Sequence, residues 1–227
     1  MRIKYLFNSG FLIETAEFDI LIDYVEGDFS PAPDKRLYIL ASHSHGDHYS
    51  RRIWDFNGEN VVYLLSSDIK AEDAPNVCSI KKGDDFKDGG FYLQVCGSTD
   101  AGCSFLISTQ GKKIFHAGDL NNWHWKNEST PEEIKEAEDY FKHELNYIAE
   151  RCRHVNLAFF PVDPRLGKEY YLGPLQFIRK IKTDNFVPMH FGGDYMACNM
   201  FKIHAKKHAA YFVKINGPGY IGGGMKP

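Results

Sequence analysis

Three histidines and one aspartate fall within six consecutive positions of this chain, residues 43–48, which read His-Ser-His-Gly-Asp-His. Such groups are costly to bury, and few structural demands concentrate them so tightly. In an extended backbone His43 and His45 project to the same side and can converge on one ion. Asp47 and His48 follow a glycine that permits a tight turn toward a second ion. Nitrogen and oxygen donors without thiolates favour a catalytic site for zinc, manganese or iron, the alternative being a solvated loop.

Two other segments carry residues suited to substrate binding. Trp123 and Trp125 flank His124, and we expect the two indoles either to line a substrate pocket or to pack over a sheet edge. His124 is then a candidate proton donor or an extra metal ligand. Arg165 follows an apolar run and suits a carboxylate or phosphate of the substrate, the alternative being a salt bridge to Asp163 or a neighbour.

Length and composition predict one domain that acts on a small molecule. With 227 residues, 43% of them hydrophobic, the chain falls in the size range of one compact domain, so we expect residues 1–227 to form a single unit. A net charge of −3 provides no positive electrostatic field to attract nucleic acid or an anionic membrane. The expected partner is a small-molecule substrate. The oligomeric state is not indicated.

The expected location is the cytoplasm. No apolar stretch approaches the roughly 20 residues that cross a bilayer, and the first residues lack the pattern of a signal peptide. The five cysteines are scattered and form no CxxC pair, which indicates reduced thiols.

The elements around residues 43–48 must deliver them to the edge of a sheet. Residues 37–42 are apolar and continuous, typical of a strand buried on both faces. Three earlier strands, at residues 3–7, 11–15 and 19–23, predict an antiparallel meander. Further strands are predicted at residues 61–65, 91–95, 104–108, 113–116, 157–161 and 185–189. Helices are predicted from Ser129-Thr130-Pro131 to about residue 152, after Gly173-Pro174, and at residues 195–208. This order predicts two packed sheets with outer helices, a layered α/β arrangement.

Residues 43–48 resemble the His-x-His-x-Asp-His motif of the metallo-β-lactamase superfamily, and the resemblance covers nearly the whole chain. It implies a four-layered αββα sandwich with a two-metal site at one edge of the paired sheets. It further implies that Asp119, in a Gly-Asp turn after a strand, bridges two ions, and that His190 completes the second site. Asp23 would support the histidine loop through hydrogen bonds. The implied ligands are His43, His45, Asp47, His48, Asp119 and His190.

The first metal site departs from the superfamily pattern, in which a third histidine precedes the bridging aspartate. Here Ser98 stands where that histidine would be, and a serine hydroxyl is a poor zinc ligand. Asp100 is the candidate substitute, although Ser98-Thr99-Asp100 equally fits an ordinary turn. A carboxylate there would favour manganese or iron; without it the site would be weak or empty. We expect one or two divalent ions, with zinc the first candidate.

The resemblance implies a hydrolase that uses metal-activated water on an ester, lactone or phosphodiester small molecule. Asp47 would orient the water and His124 would protonate the leaving group. Residues 118–125 also resemble a small bacterial branch described only as metal-dependent hydrolases. The alternatives are a di-iron oxidoreductase-type protein and a non-catalytic metal-binding protein of the same fold. Nucleic acid is disfavoured because the chain lacks an extended basic arm.

Overall fold

A computed structural model describes residues 1–71, 73–208 and 210–226, which form two seven-stranded sheets. The first sheet contains β1 (Arg2–Phe7), β2 (Gly10–Glu14), β3 (Phe18–Ile22), β4 (Arg36–Ala41), β5 (Val61–Ser66) and β6 (Val77–Ile80). The second contains β7 (Asp85–Asp88), β8 (Phe91–Cys96), β9 (Ser104–Thr109), β10 (Lys112–His116), β11 (His154–Pro161), β12 (Lys182–Met189) and β13 (Tyr211–Phe212). Strand β14 (Gly219–Ile221) returns to the first sheet. The strand orders are β14-β1-β2-β3-β4-β5-β6 and β13-β12-β11-β10-β9-β8-β7.

Each predicted strand is present, and the antiparallel meander of β1, β2 and β3 is confirmed. Strands β6, β7, β13 and β14 were not predicted. Each has only two to four residues, and much of each is exposed or half-buried. Such short strands at sheet edges carry too little alternation of apolar residues to be recognised.

The described helices are α1 (Pro131–Arg151), α2 (Leu172–Lys180), α3 (Tyr195–Met200) and α4 (Lys202–Lys207), with 3-10 helices at Arg51–Asp55 and Pro164–Glu169. The start of α1 is confirmed, because Thr130 and Glu133 form a reciprocal capping box. The prediction of one helix over residues 195–208 was wrong. The helix is interrupted at Phe201, whose N–H donates to Cys198 O three residues earlier. The Phe201 ring is buried, and its centroid lies 4.9 Å from that of Phe186.

Strand β4 is buried on both faces, as its composition predicted. Tyr38 and Leu40 face the core between the sheets, while Leu37, Ile39 and Ala41 face a second apolar cluster on the outer side. That outer cluster is covered by loops and the 3-10 helix at Arg51–Asp55, whereas α1, α2 and α3 contact the second sheet. The layered α/β sandwich is therefore confirmed, with a thin outer layer on its first sheet.

Parallel pairing places the candidate site residues at one edge of the sandwich. Strands β3, β4 and β5 run parallel, as do β10, β11 and β12. The carboxyl ends of parallel strands lie at the same edge of a sheet, where ligands commonly bind. The segments that follow β4, β10, β11 and β12 therefore meet there. Among the described residues, no helix has both the length and the apolarity to span a membrane.

Gly102 allows the loop between β8 and β9 to approach the backbone that carries the histidines. Its φ is +66°, and a Cβ atom there would lie 1.9 Å from Ser42 O and 2.6 Å from the Cβ of His43. The neighbouring Cys103 N–H donates to Ser42 O at 3.0 Å. The loop and the histidine segment are therefore in direct backbone contact at a position that only glycine fits.

We expect Gly102→Ala to destabilise the protein more than the matched variant Gly111→Ala. Gly111 also has a positive φ, +72°, but no atom lies within 4 Å of its added Cβ. Both variants carry the strain of a left-handed alanine, about 1–2 kcal/mol, and only Gly102→Ala adds about 1–3 kcal/mol of overpacking. Urea unfolding measures both free energies. Equal losses would show that the backbone at Ser42 moves without cost.

Candidate metal centre

Two groups of histidines and aspartates meet at the edge where the segments converge. Within each group, one potential ligand atom of every residue lies within 4.8 Å of the others. The first group is His43, His45, Asp100 and Asp119, and the second is Asp47, His48 and His190. The structure thus brings together the six ligands implied by the resemblance and the candidate substitute Asp100.

The first group is half open to solvent. His43 Nε2 lies 3.1 Å from His45 Nδ1 and 3.4 Å from Asp119 Oδ2. His45 Nδ1 lies 3.7 Å from Asp100 Oδ2, and these two side chains are about half exposed. Ser98 is buried, and its hydroxyl accepts from Asp100 N at 3.3 Å. Ser98 therefore belongs to a local turn, and that turn directs the Asp100 carboxylate toward the histidines.

The second group lies around the other oxygen of Asp119. Asp119 Oδ1 is 2.9 Å from His48 Nε2 and 3.3 Å from His190 Nε2. Asp47 Oδ2 is 3.3 Å from His190 Nε2 and 3.6 Å from His48 Nε2. Since Asp119 Oδ2 faces His43, the carboxylate presents one oxygen to each group, which is the arrangement of a bridging ligand.

Buried carboxylates orient two of the histidines through the nitrogen that faces away from the cluster. His48 Nδ1 donates to Asp23 Oδ2 at 2.8 Å, and Asp23 Oδ1 accepts from the Ser42 amide at 2.7 Å. His190 Nδ1 donates to Asp163 Oδ2 at 3.1 Å. A proton held on Nδ1 leaves the Nε2 lone pair free to bind a cation. Asp23 was expected in this role from the resemblance.

Sequence reasoning missed Asp163 and Asn8. Asp163 follows the buried strand β11, a signal that could have identified it, but the sequence indicates it only as a partner of Arg165. Asn8 Nδ2 donates to Asp47 Oδ2 at 3.1 Å, and the backbone carbonyl of Asn8 accepts from His190 N at 3.3 Å. Nothing in the sequence distinguishes Asn8 from an ordinary turn residue.

Left-handed backbone conformations of non-glycine residues concentrate around the cluster. They occur at Asn8 (φ 47°), Asp23 (φ 47°), Trp125 (φ 38°) and His190 (φ 58°). Asn8 lies in the tight turn between β1 and β2, and the other described case, Gln110, lies in the tight turn between β9 and β10. Each such residue costs of order 1–3 kcal/mol, and strain of this kind gathers at functional sites. The strain therefore supports a functional role for this edge.

The electrostatic field of the cluster favours positive charge. Burial alone would raise the pKa of Asp119, but the imidazoles of His43 and His48 outweigh it and hold the pKa well below its usual range. The hydrogen bond to His190 lowers the pKa of Asp47 to about 2. Against the effect of burial, the facing carboxylates raise the pKa of His48 to about 10 and that of His190 to about 9. A metal cation would satisfy the same field, displacing protons as it binds.

Two buried polar atoms at the centre of the cluster are suited to binding a metal ion. His48 Nε2 and Asp119 Oδ1 are close, yet neither has a hydrogen-bond partner among the described residues. A buried polar atom without a partner costs about 1–3 kcal/mol. Imidazole nitrogens and carboxylate oxygens are donors suited to zinc, manganese or iron. The residues present therefore fit divalent metal binding.

A pocket of about 500 Å³ opens over the cluster, and Trp123, Trp125 and Arg165 line it. His124, expected as a proton donor or extra ligand, is not among the lining residues. It is buried; its Nε2 donates to Glu169 O at 3.3 Å, and its Nδ1 accepts from Lys126 N at 3.2 Å. Burial also lowers its pKa. The structure therefore corrects the expected role of His124, because its one proton is committed to the backbone.

We expect Asp163→Ala to weaken metal binding about 10–100-fold, because His190 loses the acceptor that orients its ring. Asp184→Ala is the matched control. Asp184 also accepts from a histidine, His154 at 2.8 Å, but it lies near the opposite end of β12. Competition with a chromogenic chelator measures zinc affinity. Wild-type affinity in Asp163→Ala would show that the bond to His190 is dispensable.

Comparison with known proteins agrees with the geometry. Residues 2–136 match the family model of the beta-lactamase superfamily domain. A UPF0173 metal-dependent hydrolase of Symbiobacterium thermophilum is 27% identical over 214 residues, which cover 85% of this chain and 84% of that protein.

Two solved structures share the fold at low sequence identity. Igni18, described as a novel metallo hydrolase from the archaeon Ignicoccus hospitalis, aligns with a TM-score of 0.64 at 16% identity, over 97% of each chain. CmlA, a diiron β-hydroxylase from Streptomyces venezuelae, aligns with a TM-score of 0.64 at 11% identity, over 96% of this chain and 53% of CmlA. Together with the family match over residues 2–136, the shared sandwich shows that this chain belongs to the metallo-β-lactamase superfamily.

Proposed function

We propose that this protein is a metal-dependent hydrolase that uses metal-activated water to cleave an ester, lactone or phosphodiester bond of a small molecule. The position of Asp119 carries the proposal, because its two oxygens face two separate sets of ligands. The names of relatives such as the UPF0173 metal-dependent hydrolase of Symbiobacterium thermophilum support hydrolysis.

Two divalent ions are the proposed cofactor. The first ion would be held by His43, His45, Asp100 and Asp119. The second ion would be held by Asp47, His48, Asp119 and His190. Zinc suits the four imidazoles, while the three carboxylates make manganese or iron the alternatives. When bound, such ions lower the pKa of water and stabilise negative charge on the reacting oxygen.

Asp47 is the residue proposed to orient the attacking water. Its side chain is about half exposed and lines the pocket, and Asn8 and His190 hold it in place. With a pKa near 2 the carboxylate is ionised at neutral pH and accepts hydrogen bonds only. It can therefore accept a hydrogen bond from the attacking water, which leaves the water oxygen directed at the bond to be cleaved. The proposal assigns no role to His124.

A di-iron oxidoreductase is the second candidate, favoured by the carboxylate of Asp100 in the first group. Imidazole and carboxylate ligands suit iron, and the diiron β-hydroxylase CmlA shares the fold. Elemental analysis separates the two candidates. Two irons per chain, a visible charge-transfer spectrum and no turnover of esters, lactones or phosphodiesters would favour the oxidoreductase. Bound metal without either activity would indicate a non-catalytic protein.

Asp119→Asn removes the bridging charge with little change of shape. We expect it to lose bound metal and to lower kcat/KM about 100-fold or more, because ligands of both ions are affected. Plasma mass spectrometry reports metal content, and bis(4-nitrophenyl) phosphate and 4-nitrophenyl acetate report turnover. The control is Asp139→Asn, on the exposed side of α1. Full metal content and turnover in Asp119→Asn would contradict the bridging role.

Asp100→Ala tests the first site separately. We expect this variant to bind one ion per chain where the wild type binds two, since His43 and His45 lose a carboxylate of their group. Ser98→Ala, in the same turn, should retain two. If both variants retain two ions, Asp100 is a turn residue and not a ligand.

A further inference from the structure

Arg165 enters the pocket in a fixed orientation. Its Nε lies 3.0 Å from each oxygen of Asp163, and its Nη2 lies 2.6 Å from Asp163 Oδ2. Asp163 is buried, whereas 63% of the Arg165 side chain is exposed. Bidentate pairing with a carboxylate sets the plane of a guanidinium. The salt bridge to Asp163 is therefore compatible with substrate binding, because it orients Arg165 in the pocket.

Pairing with Asp163 leaves part of the guanidinium available. Among the described residues, none accepts a hydrogen bond from Arg165 Nη1. Arg165 is also the only lysine or arginine among the described residues that line the pocket. The N–H groups of a guanidinium match the paired oxygens of a carboxylate or phosphate. An anionic group of the ligand is therefore the natural partner of the free end.

An apolar surface lies beside this cation. The rings of Trp123 and Trp125 are nearly parallel, 12° apart, with centroids separated by 6.0 Å. Trp123 Nε1 donates to Asp119 O at 2.8 Å, which fixes its ring against the metal centre. The Trp125 ring centroid lies 6.0 Å from Arg165 Cζ. Metal ligands, indole rings and guanidinium thus share one pocket sized for a compact molecule.

We propose that Arg165 selects substrates that carry a carboxylate or phosphate group, and that the apolar part of the substrate lies against Trp123 and Trp125. This inference rests on the proposed function, since it names the substrate class of the same site. A neutral analogue leaves the donors of Arg165 without a partner, so the site discriminates against it. Asp163 is a positioning residue, because one carboxylate orients both His190 and Arg165.

Calorimetric titration of the metal-loaded protein with benzoate, phenyl phosphate and neutral benzamide tests the proposal. Wild type should prefer the anions, and Arg165→Gln should weaken their binding about 10-fold or more while leaving benzamide binding unchanged. The affinity of Arg165→Lys for the anions should lie between those of wild type and Arg165→Gln. Any contact of the anions with bound metal would be common to all variants, and equal metal content in the titrated variants assigns the change on substitution to Arg165. The control Arg179→Gln removes an exposed guanidinium of α2 and should behave like wild type.

An unchanged anion preference in Arg165→Gln, or equal binding of all three probes by wild type, would overturn the proposal. Loss confined to benzoate identifies a carboxylate as the recognised group, and loss confined to phenyl phosphate identifies a phosphate. Melting temperatures of the variants show that a loss of binding is not a loss of folding.

Hydrolysis provides an independent readout. In 4-nitrophenyl hydrogen succinate a carboxylate replaces the terminal methyl of 4-nitrophenyl butyrate, so the two esters are a matched pair. The ratio of their kcat/KM values, after subtraction of the uncatalysed rates, should fall about 10-fold in Arg165→Gln. If wild type cleaves no ester, lactone or phosphodiester, the proposed function fails, while the titrations still decide the role of Arg165.

Discussion

The contact of Asp119 with histidines of the opposite sheet is the constraint on which this edge of the structure depends. Asp119 follows β10 of the second sheet, and its oxygens lie 3.4 Å from His43 and 2.9 Å from His48, which follow β4 of the first. Buried charges must be paired, so the two sheets can close only where these groups meet. Gly102 allows the loop between β8 and β9 to lie against the histidine segment, because any side chain at this position would push that segment away.

The strands that carry the candidate ligands could be predicted because they are runs of apolar residues, whereas Asp119 and His190 were indicated as ligands by the resemblance to the superfamily. Strand β4 is buried on both faces, and its end delivers residues 43–48. The direction of a side chain in a loop could not be predicted. Trp125 adopts a φ of 38°, and the loop places Trp123 and Trp125 along the pocket while His124 is buried. An extended backbone offers no guide to that outcome.

Roles that depend on contacts between distant segments also escaped prediction. Asn8 precedes its partner Asp47 by 39 positions, and Asp163 precedes His190 by 27. No local pattern records such pairs, because the pairing arises only when the sheets pack. The break at Phe201 has the same origin, since burial of its ring against Phe186 overrides a helical pattern.

The contacts of Asp163 couple metal binding to the recognition of anionic substrates proposed for Arg165. His190 and Arg165 share the carboxylate, at 3.1 Å and 2.6 Å. Residues with a common partner are energetically coupled, and the effects of their substitutions do not add. A mutation that removed Arg165 to accommodate a neutral molecule would also change the charge beside His190. Substrate specificity and metal affinity would therefore change together. A substitution at position 163 would have to accompany a change of substrate preference.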